Sequence, residues 1–179
     1  YYLAAWFQVE KIIRLCTMQL YPEDTLLYVT DKEIAPFTWM NKIVISKTDL
    51  DRNGEIIIRH EQAHVRLNHS FDLFLITVFS VLFWFNPFVW LFKWSLQQIH
   101  EFEADQQVLK DGIDAKQYKL VLIRRSAGEQ TFAMASNFTY RSLQKRIQMM
   151  TKKKSNSLSR LTYWGVIPVA LLATMLLSV

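Results

Sequence analysis

Apolar and polar positions follow two different periods in the first part of the chain. Residues 1–20 carry apolar side chains at helical spacing, interrupted by three charged residues. This pattern predicts a helix that emerges from a membrane or lies along its surface. Residues 25–30 and 36–46 are instead rich in β-branched and aromatic side chains between turn-forming residues, which predicts two short strands.

The next segments combine turn signals with helical patterns. The cluster at residues 51–54 predicts a turn, and from Glu55 apolar side chains recur at helical spacing to about Asn68. A further helical pattern closes at Gly112, a residue type that commonly follows a helix C-terminus, and another covers residues 115–126. These helices and the two strands predict a fold that is mainly α with a small β-sheet, the α+β class.

Two other segments are apolar enough to interact with a membrane. Residues 71–94 contain only five polar or charged side chains, and residues 161–179 contain no charged one. By length, each could cross a hydrocarbon core of about 30 Å. Lysines at positions 152–154 precede the second segment. Residues 151–160 are therefore predicted to be a basic cytoplasmic linker, and residues 161–179 a transmembrane helix.

Composition and charge narrow the function classes. Hydrophobic residues make up 51% of the chain and charged residues 21%, so apolar and soluble stretches must be segregated. The net charge of +5 comes from basic residues that are dispersed or lie beside apolar segments, which argues against direct nucleic-acid binding. Cys16 is the single cysteine, which excludes an intrachain disulfide and a cysteine-based metal cluster. The first residue is Tyr and the last stretch is apolar throughout, so we expect the sequence to be part of a longer protein.

The segment His60-Glu61-Gln62-Ala63-His64 carries the strongest chemical signal. Its two histidines are spaced i, i+4, so both imidazoles lie on one helix face and can bind the same Zn²⁺ at about 2.0–2.1 Å. Glu61 then lies beside the metal, where a carboxylate can take a proton from the attacking water and pass it to the leaving amine. The motif predicts zinc-dependent peptide hydrolysis. A helix whose histidines bind no metal is the alternative.

A catalytic zinc site needs a third protein ligand, and the segment EFEAD offers acidic candidates on a helix. Glu101 and Asp105 share a face, so Glu101 is predicted to bind zinc while Asp105 accepts a hydrogen bond from a ligand imidazole. Glu103 is predicted to face solvent. His69 and His100 lie off the ligand face, and we predict them to be structural or exposed residues outside the site. A solvated acidic helix face is the alternative for this segment.

Metal binding by both segments restricts the path of the chain between them. If residues 71–94 crossed the bilayer once, the HEQAH helix and Glu101 would be about 30 Å apart. The Asn-Pro pair at 86–87 is where a helix loses a backbone hydrogen bond and can turn. We therefore predict a hydrophobic helical hairpin, in which residues 71–85 descend and residues 88–105 return.

The combination of HEQAH, an insert containing WFNPFVW and then EFEAD resembles the membrane zinc metalloproteases of the β-lactam sensor and antirepressor type, the MecR/BlaR family. The stretch SNFTYRSLQKRIQMM is also similar to that family. The resemblance implies a zincin core of the gluzincin type over residues 21–150. Carried over position by position, it implies zinc ligands at His60, His64 and Glu101, a base at Glu61 and a supporting carboxylate at Asp105. Similar EFxAD elements occur in prenyl-protein and heat-shock membrane proteases, so this wider group is the alternative.

Two further roles are expected within the peptidase domain. Residues 37–45 are expected to line the cleft and pair with an extended substrate, or else to form an ordinary sheet strand. Tyr140, Arg141 and Arg146 are candidates for stabilising the oxyanion, and Arg146 is the preferred one. Ordinary surface pairing is the alternative for all three.

The resemblance also implies a biological context. It implies a membrane-embedded endopeptidase of a sensor-transducer system in a bacterial plasma membrane, in contact with lipid and with its catalytic site facing the cytoplasm. The substrate would be a cytoplasmic transcriptional repressor or the protein itself, cleaved when a sensor domain outside this sequence receives an extracytoplasmic signal. A constitutive membrane quality-control protease and a non-catalytic signalling scaffold are the alternatives, and the intact Glu61 argues against the scaffold.

Overall fold

The computed structural model describes residues 2–21, 25–128 and 133–152. Over these residues helices pack on one four-stranded sheet, which is the α+β arrangement that the sequence predicts. The helices are α1 (Tyr2–Arg14), α2 (Lys47–Arg66), α3 (His69–Leu82), α4 (Pro87–Lys110), α5 (Ala115–Gly128) and α6 (Ala133–Thr151). The strands are β1 (Thr17–Tyr21), β2 (Thr25–Thr30), β3 (Phe37–Trp39) and β4 (Lys42–Ser46).

The sheet has the strand order β1-β2-β4-β3. β2 and β4 run parallel in its middle, while β1 and β3 are antiparallel edge strands. The prediction of one strand over residues 36–46 is wrong, because the chain turns after β3 and returns as β4. Met40 in this turn has a φ of 56°, and no glycine marks this left-handed position in the sequence.

The first twenty residues contain a helix and a strand, where the sequence predicts a helix alone. α1 ends at Arg14, and after a short turn β1 pairs antiparallel with β2, with Thr17 opposite Val29. The pairing satisfies the backbone hydrogen-bonding groups of this segment that face β2. Apolar spacing along a chain does not encode such a contact between strands, so the predicted helix extends too far.

The helix that carries the HEQAH motif begins earlier than the sequence predicts. The Ser46 hydroxyl accepts a hydrogen bond from the Asp49 backbone N–H at 3.1 Å and so caps α2 at its N-terminus. The turn predicted ahead of the motif is a kink within α2 at Asn53, with φ −145° and ψ 31°. Beyond the kink the helix continues without a break, so His60 and His64 lie one turn apart.

α3 and α4 form the hydrophobic helical hairpin that the sequence predicts. The chain turns at residues 83–86, where the Asn86 side chain caps α4 and Pro87 is its first residue. The arms run antiparallel, and Lys93 Nζ of α4 donates to Thr77 Oγ1 of α3 at 3.0 Å. α4 is the returning arm, and it packs against α2.

The hairpin exposes much of its aromatic surface. At its tip Trp84, Phe85 and Phe88 are 71%, 67% and 74% exposed, and contiguous apolar surface of this kind marks an interaction site. No single described helix is both long and apolar enough to cross a bilayer. α2 and α3 reach that length and hydropathy only as a pair, which is bent by 59°. Residues 153–160 of the predicted linker and the predicted transmembrane helix at 161–179 lie outside the described residues.

The core lies between the sheet and helices α2, α4 and α5. Ile43 and Ile45 of β4 are fully buried, and they belong to one cluster with Ile57 of α2, Val108 of α4 and Val121 of α5. Burial of each such side chain contributes about 1.5–3 kcal/mol to stability. The core therefore fixes α2 and α4 relative to each other, and with them the polar side chains that they carry.

Candidate metal centre

Three potential metal ligands from two helices converge in the structure. His60 and His64 lie on α2, and Glu101 lies on α4, the returning arm of the hairpin. One ligand atom from each residue lies within 4.8 Å of the others. The hairpin thus closes the gap between the motif and Glu101, as binding of one ion requires.

The distances within this group suit a single tetrahedral ion. The two Nε2 atoms are 3.3 Å apart, close to the separation of about 3.3 Å expected for two nitrogens that bind one Zn²⁺ at about 2.0–2.1 Å. Glu101 Oε2 lies 3.5 Å from His60 Nε2, and Glu101 Oε1 lies 3.7 Å from His64 Nε2. Two imidazoles and a carboxylate are donors that zinc accepts, so these residues fit the ion.

Hydrogen bonds on the far side of His60 fix its tautomer. The Tyr118 hydroxyl donates to Asp105 Oδ1 at 2.6 Å, so its oxygen accepts the proton of His60 Nδ1 at 2.8 Å. Burial and the charge of Asp105 raise the pKa of Tyr118, which therefore keeps the proton that it donates. The predicted direct bond from an imidazole to Asp105 is wrong, because His60 Nδ1 is 3.6 Å from Oδ1 and Tyr118 bridges the two. In the neutral imidazole, this arrangement leaves the lone pair on His60 Nε2.

A second chain of hydrogen bonds fixes the tautomer of His64. His69 Nε2 lies 3.2 Å from Glu103 Oε2, and donation to this carboxylate leaves His69 Nδ1 as an acceptor. His64 Nδ1 lies 2.8 Å from that atom and donates to it, so His64 Nε2 also carries a lone pair. Two lone pairs 3.3 Å apart beside a carboxylate repel each other, and a bound cation removes that repulsion.

His69 contacts the ligand His64, so the prediction that it lies outside the site is wrong. Glu103 is exposed, as predicted, and also meets His69, while His100 is buried. His69 is 2% exposed and contacts both His64 and Glu103. The His100 ring stacks on His69 with 3.9 Å between centroids, and its Nε2 lies 3.3 Å from Asp72 Oδ2. These contacts arise from tertiary packing, because His69 is the first residue of α3 and the hairpin folds α4 back beside it. All four histidines of the chain form one cluster.

Burial and neighbouring groups set the protonation states of the ligands. Burial and the adjacent His60 lower the pKa of His64 to about 3, so its imidazole is neutral at pH 7. Burial would raise the pKa of Glu101, but contacts with His60 and with the Arg146 guanidinium hold this pKa well below its usual range. A neutral imidazole and an ionised carboxylate are the forms that bind a metal ion.

Arg146 of α6 holds two carboxylates of the site. Its Nε and Nη2 lie 2.9 and 2.6 Å from the two Asp105 oxygens, and its Nη1 lies 2.8 Å from Glu101 Oε2. All three guanidinium nitrogens contact carboxylates, so the predicted role of Arg146 in stabilising an oxyanion is not supported. These charge-assisted bonds instead orient Glu101 and Asp105. Of the other two candidates, Arg141 is exposed, and the side chain of Tyr140 lies outside the described part of the structure.

Glu61 is buried beside the ligands and is held by Thr38 of β3. The Thr38 hydroxyl donates to Glu61 Oε2 at 2.7 Å and lies 3.1 Å from the Glu61 carbonyl oxygen. Glu61 is 5% exposed, and it lines a cavity of about 270 Å³ together with the three ligands. A carboxylate fixed in this way can accept a proton from an attacking water and transfer it to a leaving amine.

His69→Leu is expected to weaken zinc binding by about 10- to 100-fold, because it removes the acceptor that orients His64. His69→Asn is expected to weaken it less, since its amide oxygen can replace Nδ1 as acceptor. The zinc dissociation constant, measured by competition with a chelator, checks both. His100→Leu is the comparison, because it removes a buried imidazole that stacks on His69 but pairs with Asp72 rather than with a zinc ligand. Equal zinc affinities for native, His69→Leu and His69→Asn proteins would contradict the assigned role.

Thr38, His69 and Tyr118 are site residues that sequence reasoning misses. Thr38 and Tyr118 reach partners 23 and 58 residues away along the chain, and no local spacing predicts such contacts. His69 does have a signal, because all four histidines fall between positions 60 and 100. Such a concentration favours a shared site.

Comparison with known proteins identifies a peptidase family. The profile of the BlaR1 peptidase M56 family matches residues 34–150. The regulatory protein BlaR1 of Staphylococcus aureus is 27% identical over 116 residues, which cover 61% of this chain and 20% of that protein. The methicillin resistance mecR1 proteins of Staphylococcus aureus strain Mu50 and Staphylococcus epidermidis are 36% identical over 67 residues, which cover 37% of this chain and 12% of theirs.

These relatives are much longer than the present chain, which spans about a fifth of their length or less. The family profile, in contrast, covers well over half of the chain. It also includes every residue of the candidate centre, from Thr38 on β3 to Arg146 on α6. The chain belongs to the BlaR1 peptidase M56 family.

Proposed function

We propose that this chain is the catalytic core of a membrane-embedded zinc endopeptidase that acts in a sensor-transducer system. One observation carries the proposal: two imidazole nitrogens and the Glu101 carboxylate converge beside the buried Glu61. A site that only stabilised the fold would gain nothing from a base held next to the ligands. The membership in a peptidase family supports the same conclusion.

The proposed reaction is hydrolysis of a peptide bond. Zinc held by His60, His64 and Glu101 would supply Lewis acidity, polarising the scissile carbonyl and lowering the pKa of water to about 7. Glu61 takes a proton from the attacking water as the water oxygen adds to the carbonyl carbon. Glu61 then gives a proton to the amine nitrogen as the C–N bond breaks. Thr38 holds the Glu61 carboxylate in one orientation through both transfers.

The edge strand β3 is proposed to bind the substrate backbone. Phe37 and Thr38 line the same cavity as the ligands, and no further strand pairs with the outer side of β3 among the described residues. An extended peptide could add there as a fifth strand and gain main-chain hydrogen bonds. The predicted range of 37–45 narrows to Phe37–Trp39, because β4 lies inside the sheet.

The hydrophobic hairpin is proposed to contact lipid. Its exposed tip, with Trp84, Phe85 and Phe88, would leave water on entering a bilayer. Together with the apolar segment at 161–179, this supports an integral membrane protein, and the basic residues at 152–154 are the ground for proposing that its catalytic site faces the cytoplasm. The substrate is proposed to be a cytoplasmic repressor-like protein or the protein itself, and the names of the regulatory and resistance relatives support this signalling context.

Removal and replacement of the metal test the proposal. The full-length protein in detergent is expected to lose peptide hydrolysis in a strong chelator and to regain it with about one Zn²⁺ per chain. Mg²⁺ is expected not to restore it, because Mg²⁺ prefers six oxygen ligands. Hydrolysis is measured by mass spectrometry on a mixture of peptides. Undiminished cleavage by folded protein that contains no metal would contradict the proposal.

A further inference from the structure

Arg125 of α5 connects the cavity of the metal centre to a second, larger cavity. The two cavities have volumes of about 270 and 630 Å³, and they share the lining residues Arg125 and Pro36. Pro36 immediately precedes β3, and residues 33–35 before it also line the second cavity. The second cavity therefore extends from the N-terminal end of the strand proposed to bind substrate.

Three arginines and two carboxylates line the second cavity, which gives it a small positive formal charge. Arg52, Arg124 and Arg125 line it, and none of them forms an ion pair with a carboxylate in the described part of the chain. Its two acidic residues have local roles. Glu33 accepts a hydrogen bond from a threonine hydroxyl of α2 at 2.6 Å, and Asp49 lies in the first turn of α2, where a carboxylate offsets the helix dipole.

Arg125 is also the guanidinium of the site cavity that remains available to a ligand. The other one, Arg146, contacts Asp105 and Glu101 with all three of its nitrogens. Arg125 is half-buried, so part of its desolvation cost is already met and its charge is screened less than that of a fully exposed residue. A planar guanidinium in this position can bind a carboxylate through two parallel hydrogen bonds.

We propose that Arg125, assisted by Arg52 and Arg124, forms a subsite that binds an acidic side chain of the substrate on one side of the scissile bond. The proposal rests on the proposed peptidase function. A peptide paired with β3 would run past the metal centre and continue along Pro36 toward the second cavity. Asp or Glu at a fixed distance from the cleaved bond would then meet the Arg125 guanidinium, so this residue would determine specificity.

Cleavage of a peptide library tests the subsite. The library is of mixed sequence and blocked at both ends, so its carboxylates are those of side chains alone. The zinc-loaded, full-length protein is expected to prefer Asp or Glu over Asn or Gln by about tenfold at one fixed position, as mass spectrometry of the products would show. Arg125→Gln is expected to abolish that preference, and Arg125→Glu to replace it with a preference for Lys or Arg. Lys116→Gln removes a charge from an exposed position of the same helix and is expected to keep the native preference.

The outcomes separate the subsite from the peptidase function. Cleavage by the native protein with no acidic preference at any position would overturn the subsite and leave the peptidase function in place. An acidic preference that persists in both Arg125 variants would overturn it as well. Failure of the native protein to cleave any peptide faster than Glu61→Gln would overturn the peptidase function and the subsite together.

Discussion

Glu61→Gln is expected to lower the rate of peptide-bond hydrolysis by a factor of about 10²–10⁴ while the zinc content stays at the native level. The amide cannot take a proton from the attacking water, so the step that Glu61 performs is lost. Glu61 is not one of the three converging ligands, and an amide oxygen can still accept the hydrogen bond from Thr38. The single-turnover cleavage rate of the detergent-solubilised, full-length protein measures the effect.

Glu55→Gln is the matched control for this substitution. Glu55 lies on the same helix, and its exposed side chain pairs with the neighbouring Arg59. Its loss is expected to leave the cleavage rate within about twofold of native, because exposed pairs of this kind contribute little. Equal rates for Glu61→Gln and Glu55→Gln would remove Glu61 from the proposed mechanism.

Arg146→Met is expected to destabilise the described fold by about 3–5 kcal/mol, because it leaves a buried carboxylate without its counter-charge. Asp105 is 2% exposed and meets Arg146 through two short bonds, and Glu101 meets it through a third. Arg146→Lys is expected to recover part of the loss, since one ammonium group cannot reproduce the planar fork that contacts both carboxylates. Thermal unfolding of the full-length protein, followed with and without zinc, measures both variants.

Arg141→Met supplies the comparison on the same helix. Arg141 is exposed, so its replacement is expected to change stability by less than about 0.5 kcal/mol. A loss of stability in Arg146→Met no larger than that in Arg141→Met would contradict the role assigned to Arg146. The same result would also indicate that the contact between Arg146 and the ligand Glu101 does not hold α6 against the metal centre.

The fold could be predicted from the sequence where elements are long and periodic. The apolar hairpin follows from its composition together with the requirement that two distant segments share one ion, and its Asn-Pro turn has a clear backbone signal. The short strands are less predictable. β1 depends on pairing with β2. The division of residues 36–46 into two strands depends on the positive φ of Met40, a conformation that a methionine in the sequence does not predict.

The site shows the same division between local and tertiary information. His60, Glu61 and His64 are predictable because their spacing alone puts them on adjacent positions of one helix. Glu101 requires the hairpin in addition. The contacts of Thr38, Tyr118 and Arg146 arise only when β3, α5 and α6 pack around α2 and α4, so the two carboxylate partners of Arg146 could not be predicted from the sequence.

Elemental analysis of zinc in the purified, full-length protein tests the central claim most directly. Native protein and Glu61→Gln are expected to carry about one zinc per chain, whereas His64→Ala and Glu101→Gln are expected to carry much less, because each removes one of three protein ligands. Retention of the fold in each variant is checked by circular dichroism. Folded native protein without stoichiometric zinc, or undiminished zinc in Glu101→Gln, would contradict a metal centre built from α2 and the returning arm of the hairpin.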